Sequence, residues 1–521
     1  MSSDARYADT KARYDAAGQG HVFSFWDTLS RVEQSSLLDQ LSVFDPGRVN
    51  EIHKAALKAD EDTKHASPDA VEPLPNDVTE NIVDAKKERV AEYRQKGLRE
   101  IAEGRVAVFL MAGGQGTRLG SSDPKGCYDI GLPSHKSLFQ LQAERIRRLQ
   151  TVAEKETGKK EGSVRIRWYV MTSDPTHDAT RKFFGWGLSG EKLRKEVNFG
   201  LDEDQVVFFK QGVLPCLSAS GKILLEAPSK VAVAPDGNGG LYAALRNPLS
   251  QSLNNLAAPS ILSDLSSRGI TLIHAYCVDN CLVKVADPVF LGACATRNAD
   301  CAAKTVPKVR PEESVGVVTK RSGKFAVVEY SEITPELAAR RDPSNPNALA
   351  LRAANIVNHV YTLPFLQRTH EMEKDLAYHI ARKKIPSITS LEGENKGEKG
   401  KTDGMKLEMF VFDVFPFSQN FFVFEGARAE EFSPLKNAPG APAGDSPETS
   451  RRDLLAQQRR FLEAAGARFA SDEVEIEVSP LVTYAGEGLE SVKDKTFSKS
   501  GHVEKLQDFD ALASLGRLIS N

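Results

Sequence analysis

A glycine-rich segment that carries two cations has the residue types and spacing most suited to chemistry. Residues 110–125 have the sequence LMAGGQGTRLGSSDPK, which includes Gly113, Gly114, Arg118 and Lys125. Glycines let backbone N–H groups approach phosphate oxygens without a Cβ in the way. An arginine can hold a phosphate through two hydrogen bonds, and a lysine offers a point charge. The segment therefore predicts a phosphate-binding loop.

This segment matches neither of the two common phosphate loops. A Walker A loop ends in Gly-Lys-Ser/Thr, which does not occur in it. A dinucleotide fingerprint needs G-x-G-x-x-G, but Gly114 and Gly116 are followed by Gly120, one residue too late. This spacing speaks against a dinucleotide oxidoreductase. The alternative interpretation is a structural turn with solvated Arg118 and Lys125.

Elements on both sides of the segment must position it. Residues 105–111 form an apolar run typical of a buried strand, and residues 136–156 have a helical pattern. Further strands are predicted at 164–172, 205–209 and 270–278, and further helices at 176–184, 239–246 and 262–268. This alternation predicts an α/β fold with a doubly wound, mostly parallel, Rossmann-like sheet. Ligands of such sheets bind beyond the carboxyl ends of the strands, where this segment lies.

The remaining chain suggests three regions. Residues 1–104 are predicted to be a helical N-terminal region, 105–420 the catalytic domain and 421–521 a smaller C-terminal unit. Residues 314–320 and 324–330 flank Arg321-Ser322-Gly323 and predict an antiparallel hairpin. Residues 391–405 are rich in Gly, Lys and Glu and are expected to form a mobile loop.

Composition excludes several classes of protein. The 521 residues include 68 Lys and Arg against 71 Asp and Glu, a net charge of −3, so a broadly basic nucleic-acid coat is excluded. No apolar stretch reaches the ~18 residues of a spanning helix, and residues 1–15 do not resemble a secretory signal. Six scattered cysteines without C-x-x-C spacing suit a reducing compartment. We therefore expect a cytoplasmic protein with no nucleic-acid or membrane partner.

Asp279 is the candidate metal ligand. It follows the predicted strand 270–278, and a carboxylate at a strand end that faces phosphates is a natural ligand for Mg²⁺. The equally ordinary interpretation is a strand-end aspartate that caps a turn. Cys277 and Cys281 flank it, but their spacing without partner ligands does not indicate zinc.

Residues 110–145 closely resemble the eukaryotic UDP-N-acetylhexosamine pyrophosphorylases, whose loop has the pattern L-x-x-G-G-x-G-T-R-L-G-x-x-x-P-K. Further matches extend from about residue 30 to about residue 490. The resemblance implies a nucleotidyltransferase-type fold that joins UTP and N-acetylglucosamine 1-phosphate to give UDP-N-acetylglucosamine and pyrophosphate, with Mg²⁺ as cofactor. It implies a single in-line displacement at the α-phosphate without a covalent intermediate. We expect a monomer, and a dimer is left open.

The resemblance also implies roles for individual residues. Those implied for catalysis are Arg118, Lys125 and Lys436, with Asp279 as the metal ligand. Those implied for nucleotide binding are Gly113, Gly114, Gln211, Gly237 and Asn238. A side-chain amide such as that of Gln211 has both a donor and an acceptor and can pair with the imide edge of uracil.

The sugar-binding residues implied by the resemblance are Gly316, Glu329, Asn355, Phe410 and Phe412. Glu329 is predicted on the second hairpin strand, and Asn355 in or beside a helix. Phe410 and Phe412 alternate as strand residues do, so core packing is the competing interpretation. Phe415 and Phe417 are rivals for the same role because the insertion at 391–405 leaves the alignment ambiguous.

Two other functions stay open. One is a pyrophosphorylase that prefers UDP-glucose or UDP-GalNAc. The other is a non-catalytic relative that binds UDP-sugars, which the presence of Arg118, Lys125 and Asp279 argues against.

Overall fold

The computed structural model describes residues 3–64, 71–248, 259–343, 345–391, 393 and 395–513. The α-helices of these residues, α1 to α14 in chain order, are Ser3–Ala16, Arg31–Ser42, Pro46–Lys64, Lys87–Ala102, Leu138–Thr157, Asp174–Phe183, Leu241–Ala244, Ile261–Ser267, Pro288–Arg297, Pro335–Ala339, Leu363–Met372, Arg428–Glu431, Pro447–Ala464 and Phe509–Leu512.

The strands of the same residues, β1 to β24 in chain order, are Val71–Glu72, Thr79–Asn81, Val106–Met111, Arg167–Thr172, Val206–Lys210, Val213–Pro215, Leu217–Ser218, Leu225–Ala227, Lys230–Val231, Val233–Pro235, Leu272–Cys277, Cys301–Pro307, Val317–Arg321, Lys324–Val328, Arg341–Asp342, Asn345–Leu349, Ala353–Thr362, His379–Ile388, Lys399–Glu408, Phe421–Glu425, Arg468–Phe469, Ile476–Val478, Thr496–Phe497 and Gly501–Val503. Within these residues, no helix has the length and apolar composition needed to cross a lipid bilayer.

The chain divides into two compact units. The smaller unit consists of Met1–Ala70, Gln211–Ala244 and His370–Val414, and the larger unit of Val71–Lys210, Leu245–Thr369 and Phe415–Asn521. Both units are assembled from separated stretches of chain. Their limits cross the sequence-based boundaries at residues 104 and 420, and the three-region division stays a prediction.

The larger unit is built on a sheet with the strand order β2-β20-β12-β17-β11-β3-β4-β5. All neighbouring strands along this order are parallel except β17, which runs antiparallel to β12 and β11. This arrangement, with helices α4, α5 and α9 contributing to its core, confirms the α/β fold with a mostly parallel sheet. The hairpin of β13 and β14 is also confirmed, and its turn is Ser322-Gly323.

Close helix packing explains why residues 87–102 belong to the larger unit. A Cβ built on Gly97 of α4 would lie 1.9 Å from the carbonyl oxygen of Pro288, and one on Gly292 of α9 would lie 1.8 Å from that of Tyr93. Only glycine lets the two helix backbones approach so closely. Helix α4 is therefore fixed against α9, and Gly104 (φ +69°) follows its C-cap residue Glu103.

The smaller unit has a core of its own around helices α1 to α3. Buried residues of these helices include Tyr14, Leu37 and Leu41, and they share the core with Leu217 and Leu407. Strands β18 and β19 form an antiparallel ladder that begins at the pair His379–Glu408 and ends at the pair Ile388–Lys399.

The prediction of a mobile loop at 391–405 is wrong for residues 399–405. These residues belong to β19, because pairing with β18 and with β7 compensates for a glycine- and lysine-rich composition that is unfavourable for a strand. Burial alternates at the end of the strand, where Met405 and Leu407 are buried and Lys406 is more exposed.

Candidate functional site

The glycine segment forms a closed loop after strand β3. The N–H of Gly116 donates to the carbonyl of Asp123 at 2.9 Å, and the N–H of Lys125 donates to that of Gly114 at 3.1 Å. The hydroxyl of Ser173 donates to the carbonyl of Gly113 at 2.6 Å. Gly114 is exposed, and a Cβ built on it would meet nothing within 4 Å. The loop thus has a fixed backbone with an open surface on which a ligand can rest.

Arg118 lies on the outer side of this loop. It is exposed within a short 3₁₀ helix, Thr117–Leu119, which ends at Gly120 with a left-handed φ of +77°. Among the described residues, its guanidinium has neither a hydrogen bond nor an ion pair. An exposed, unpaired guanidinium is available to a phosphate without first breaking another contact.

Lys125 and Asp279 come together at the carboxyl ends of two parallel strands. The register pairs Met111 of β3 with Cys277 of β11, so the residues that follow both strands meet at one edge of the sheet. The Lys125 Nζ lies 3.7 Å from Oδ2 of Asp279 and donates to the carbonyl of Leu435 at 3.2 Å. Both side chains are partly exposed. The sequence-predicted phosphate ligand and metal ligand are therefore neighbours.

A glycine next to Lys125 brings the loop close to helix α5. A Cβ on Gly126 would lie 2.2 Å from the ring of Phe139, which is fully buried. Any larger residue would displace the backbone of Lys125. Gly126 is thus a structural requirement of the site rather than a ligand contact.

The segment that carries Lys436 contacts the same strand end. The N–H of Leu435 donates to the carbonyl of Asp279 at 2.8 Å, and the N–H groups of Lys436 and Asn437 both donate to the carbonyl of Asp445, at 2.7 and 2.9 Å. The backbone of Asp445 adopts a left-handed conformation, with φ +51°. The structure therefore brings Lys436 to the segment that contacts Asp279.

Asp445 lies beside the candidate site, and no sequence pattern indicates it. Burial raises the pKa of its carboxyl, Lys436 and Arg428 lower it, and Asp279 is among the carboxylates that raise it. The backbone hydrogen bonds of Leu435 and Lys436 join the segments that carry Asp279 and Asp445. Nothing in the spacing of residues 438–449 could have indicated this, because the contact joins segments that are far apart in sequence.

A buried ion network fixes the start of this segment. Lys304, with no exposed surface, lies 2.6 Å from Asp287 and 2.9 Å from Glu431. The carbonyl of Glu431 accepts from the side chain of Asn280 at 2.7 Å, which links the network to the residue after Asp279. Since a buried charge left without a partner is costly, this network holds the segment in one position.

The site fits a magnesium ion only when a nucleotide supplies further ligands. The described residues contain no cluster of three or more metal-ligating side chains. Asp279 offers one partly exposed carboxylate beside the phosphate-binding loop. Mg²⁺ is usually held by one or two carboxylates together with water and substrate phosphates, so Asp279 suits this role.

Three of the predicted sugar-binding residues are grouped in the larger unit. The N–H of Asn355 donates to the carbonyl of Gly316 at 2.8 Å. A Cβ on Gly316 would lie 2.7 Å from Oε1 of Glu329. Glu329 follows β14 instead of lying within it, because β14 ends at Val328. The three residues, which are 13 to 39 positions apart in sequence, border one small region.

The prediction of a helix around Asn355 is wrong. Asn355 lies in strand β17, at a bulge where Lys304 pairs with Asn358 and Thr305 with Asn355. Val357 adopts a left-handed φ of +51°, and its N–H donates to Oδ1 of Asn355 at 3.1 Å. A β-branched residue in this region stores about 1–3 kcal/mol of strain, and such strain concentrates at functional sites. The bulge redirects Asn355 relative to a regular strand.

The predicted uridine-binding residues lie in the smaller unit. The side-chain amide of Gln211 donates to the carbonyl of Gly237 at 3.1 Å. Oδ1 of Asn238 accepts from the N–H of Val411 at 2.9 Å. Burial raises the pKa of Asp236, which lies beside Gln211, to about 6. The structure thus brings Gln211, Gly237 and Asn238 together around one turn.

The prediction that Phe410 and Phe412 are strand residues is wrong. Strand β19 ends at Glu408, and residues 411–414 form a turn in which Oδ2 of Asp413 accepts from the N–H of Phe410 at 2.7 Å. The rings of Phe410 and Phe412 lie 5.1 Å apart, and Phe410 also packs on His379 at 4.3 Å. The two aromatic side chains pack together, with Phe410 partly exposed and Phe412 buried.

The rival Phe415 belongs to the larger unit. Its ring packs edge-on against His359 at 4.9 Å, and His359 contacts Asn355. Phe415 is fully buried, whereas Phe417 is partly exposed. Phe415 therefore packs against His359, which in turn contacts the sugar-binding candidate Asn355.

Gly237→Ala is expected to destabilise the protein by about 2–3 kcal/mol, since a strained φ is added to a clash. Gly237 has φ +88°, and its Cβ would lie 2.2 Å from the carbonyl of Met409. Gly323→Ala is the matched control, because Gly323 (φ +75°) has open space around it and would suffer only the backbone strain. Thermal unfolding measures both. Equal losses in the two variants would contradict the clash.

The chain is similar to known proteins over most of its length. The model of the family described as UTP--glucose-1-phosphate uridylyltransferase matches residues 49–516. The chain is 42% identical to UDP-N-acetylhexosamine pyrophosphorylase-like protein 1 of Xenopus tropicalis, over 97% of this chain and 98% of that protein. It is 43% identical to UDP-N-acetylglucosamine pyrophosphorylase of Saccharomyces cerevisiae, over 95% and 99%. A crystal structure of uridine diphosphate N-acetylglucosamine pyrophosphorylase from Trypanosoma brucei, in complex with an inhibitor, is similar with a TM-score of 0.81 and 31% identity, covering 97% of this chain and 99% of that one.

Proposed function

This chain belongs to the UTP--glucose-1-phosphate uridylyltransferase family, and we propose that it joins UTP and N-acetylglucosamine 1-phosphate to give UDP-N-acetylglucosamine and pyrophosphate. It is a nucleotidyltransferase, the enzyme class of its relatives UDP-N-acetylglucosamine diphosphorylase 2 of Arabidopsis thaliana and UDP-N-acetylglucosamine pyrophosphorylase of Saccharomyces cerevisiae. The resemblance to the UDP-N-acetylhexosamine pyrophosphorylases is confirmed over nearly the full length of the chain.

The observation that carries the proposal is the ion pair of Lys125 with Asp279 at the carboxyl ends of two parallel strands. The loop that carries Lys125 also carries the exposed Arg118. Two cations suit the phosphates of a nucleoside triphosphate, and the carboxylate suits the metal that accompanies it. Asp279 would hold the Mg²⁺ ion, which when bound neutralises phosphate charge and helps to orient the phosphates.

The residues of the loop would act by positioning and by charge. Arg118 would hold the β- and γ-phosphates, which leave as pyrophosphate, and Lys125 would lie at the α-phosphate, where charge shifts during displacement. A phosphate oxygen of the sugar phosphate attacks the α-phosphorus, and the bond to the β-phosphate oxygen breaks. Since the attacking oxygen of the sugar phosphate is already deprotonated at pH 7, no general base is needed.

The other predicted residues are proposed to bind the remaining parts of the substrates. Gly113 and Gly114 would approach the nucleotide through their backbones, and Lys436 would contact the phosphates. Uridine would be bound by Gln211, Gly237 and Asn238. The sugar would be bound by Gly316, Glu329, Asn355, Phe410 and Phe412. We further propose a cytoplasmic monomer.

A pyrophosphate-release assay with UTP and a panel of sugar 1-phosphates tests this function. We expect turnover with N-acetylglucosamine 1-phosphate in the presence of Mg²⁺ and its loss in EDTA. If glucose 1-phosphate is the only sugar phosphate that reacts, the sugar assignment is overturned in favour of a UDP-glucose pyrophosphorylase. The description of the family points to that alternative. Binding of UDP-N-acetylglucosamine without any release of pyrophosphate would instead indicate a non-catalytic relative.

A further inference from the structure

The side-chain amide of Asn355 has a single possible orientation. Its Oδ1 lies 3.1 Å from the backbone nitrogen of Val357 and 3.1 Å from Nε2 of His359. A backbone N–H can only donate, so the amide atom that it contacts must be the oxygen and not the nitrogen. The neighbouring groups therefore fix Oδ1 of Asn355 as the atom that faces Val357 and His359.

The same reasoning fixes the proton on His359. Because Oδ1 of Asn355 accepts, Nε2 of His359 must carry a hydrogen. His359 is fully buried, and burial lowers its pKa to about 3, so the ring is neutral and Nδ1 is an acceptor. The hydroxyl of Tyr361, 3.0 Å from Nδ1, must then donate to it. The hydrogen bonds form a chain with one direction, from Tyr361 through His359 to Asn355.

Aromatic packing holds this chain in place. Phe415 packs edge-on against the ring of His359 at 4.9 Å, and Tyr361 stacks on Phe365 at 5.9 Å with an interplanar angle of 6°. Neither ring can turn without disturbing the core. Among the described residues, the amide nitrogen of Asn355 has no hydrogen-bond partner, so both of its N–H groups remain for a ligand.

We propose that His359 is a positioning residue for sugar recognition, which orients the amide of Asn355 so that its N–H groups donate to an acceptor oxygen of the sugar. The inference rests on the proposed function, in which Asn355 contacts the sugar. It adds that the site is built to recognise an acceptor, a carbonyl or hydroxyl oxygen, at this point. If the acceptor is the acetamido carbonyl, His359 contributes to discrimination between N-acetylglucosamine 1-phosphate and glucose 1-phosphate.

His274 provides a matched control within the same sheet. It is also fully buried, its Nε2 donates to Oδ1 of Asn358, and its Nδ1 accepts from the N–H of Ala286 at 3.0 Å. Asn358 is 1% exposed, and no substrate contact is proposed for it. A change at His274 therefore removes a comparable buried hydrogen bond, made to Asn358 instead of Asn355.

The test compares His359→Leu, His359→Gln, Tyr361→Phe and His274→Leu. For each variant, KM and kcat are measured for UTP and for N-acetylglucosamine 1-phosphate, with Kd for UDP-N-acetylglucosamine and for UTP, and Tm. We expect His359→Leu to raise KM for the sugar phosphate about tenfold, the effect of losing a positioned hydrogen bond, and to leave KM for UTP unchanged. His359→Gln should restore much of the affinity, because its amide can donate from a similar position. His274→Leu should lower Tm without changing either KM.

Tyr361→Phe keeps the ring packing and decides the matter if His359→Leu does not fold. Without the donor, the proton of His359 is free to move to Nδ1, and Asn355 loses its fixed orientation, so KM for the sugar phosphate should rise several-fold. An unchanged KM for the sugar phosphate in this variant, or a parallel rise for both substrates in the His359 variants, would overturn the proposal. Absence of turnover in the wild type would refute the proposed function alone, since the Kd values still test the positioning role.

Discussion

Lys125→Ala is expected to lower kcat about a hundredfold or more while the protein stays folded. Loss of one group that stabilises developing charge typically costs ~3 kcal/mol of activation free energy, which corresponds to roughly two orders of magnitude in rate. The side chain of Lys125 is partly exposed, and its Nζ makes one ion pair, with Asp279, and one hydrogen bond, to the carbonyl of Leu435. The cost to folding should therefore stay near 1 kcal/mol.

Steady-state kinetics of pyrophosphate release, with Tm measured alongside, checks this expectation. Lys155→Ala is the matched control, because Lys155 is an exposed lysine of helix α5 outside the loop. Arg118→Ala should act in the same direction as Lys125→Ala, with even less effect on Tm, since its guanidinium has no partner among the described residues. Full turnover in a folded Lys125→Ala protein would refute the assignment of Lys125 to the α-phosphate.

Asp279→Asn is expected to raise the Mg²⁺ concentration for half-maximal activity about tenfold or more. The amide keeps the shape of the side chain but loses the charge that a hard cation prefers, and each tenfold change corresponds to about 1.4 kcal/mol of binding free energy. The backbone carbonyl of Asp279 still accepts from the N–H of Leu435, so the local structure should survive. Lys125 would lose its counterion in the same variant.

Titration of activity with Mg²⁺ at saturating UTP is the measurement. Asp178→Asn, at an exposed position of helix α6, is the control for removal of one negative charge. Mg²⁺ dependence that is the same in Asp279→Asn and the wild type would place the metal on another residue. Asp445, whose pKa responds to Asp279, would then be the next candidate.

The features that were correctly predicted depend on local patterns. The apolar run 105–111 is typical of a buried strand, and the structure has strand β3 at Val106–Met111. A glycine cluster followed by a helical pattern marks a strand-to-helix loop. The position of Asp279 at a strand end follows from the same kind of pattern, because it comes directly after the predicted strand 270–278. Because parallel strands carry their carboxyl ends to one edge, the proximity of Lys125 and Asp279 followed from these local assignments.

The features that were missed depend on distant partners. Phe410 and Phe412 alternate like strand residues, but Asn238 binds the N–H of Val411, and the chain turns after β19. Asn355 precedes the β-branched residues Ile356 and Val357, which favour a strand, and pairing of β17 with β11 and β12 makes it a strand residue. Local propensity is weak, and tertiary hydrogen bonds override it.

The sequence alone predicts an α/β fold with a cationic glycine loop after a buried strand, and its resemblance to a known family implies a nucleotidyltransferase. The three-dimensional contacts were needed to show that residues 435–437 link Asp279 to Asp445 and that Lys304 anchors the segment leading to Lys436. It alone showed the strained bulge at Val357 and the chain from Tyr361 to Asn355. The periodic burial of a strand or helix depends on residues that are close in sequence. The direction of a buried hydrogen bond depends on which group, distant in sequence, supplies the donor.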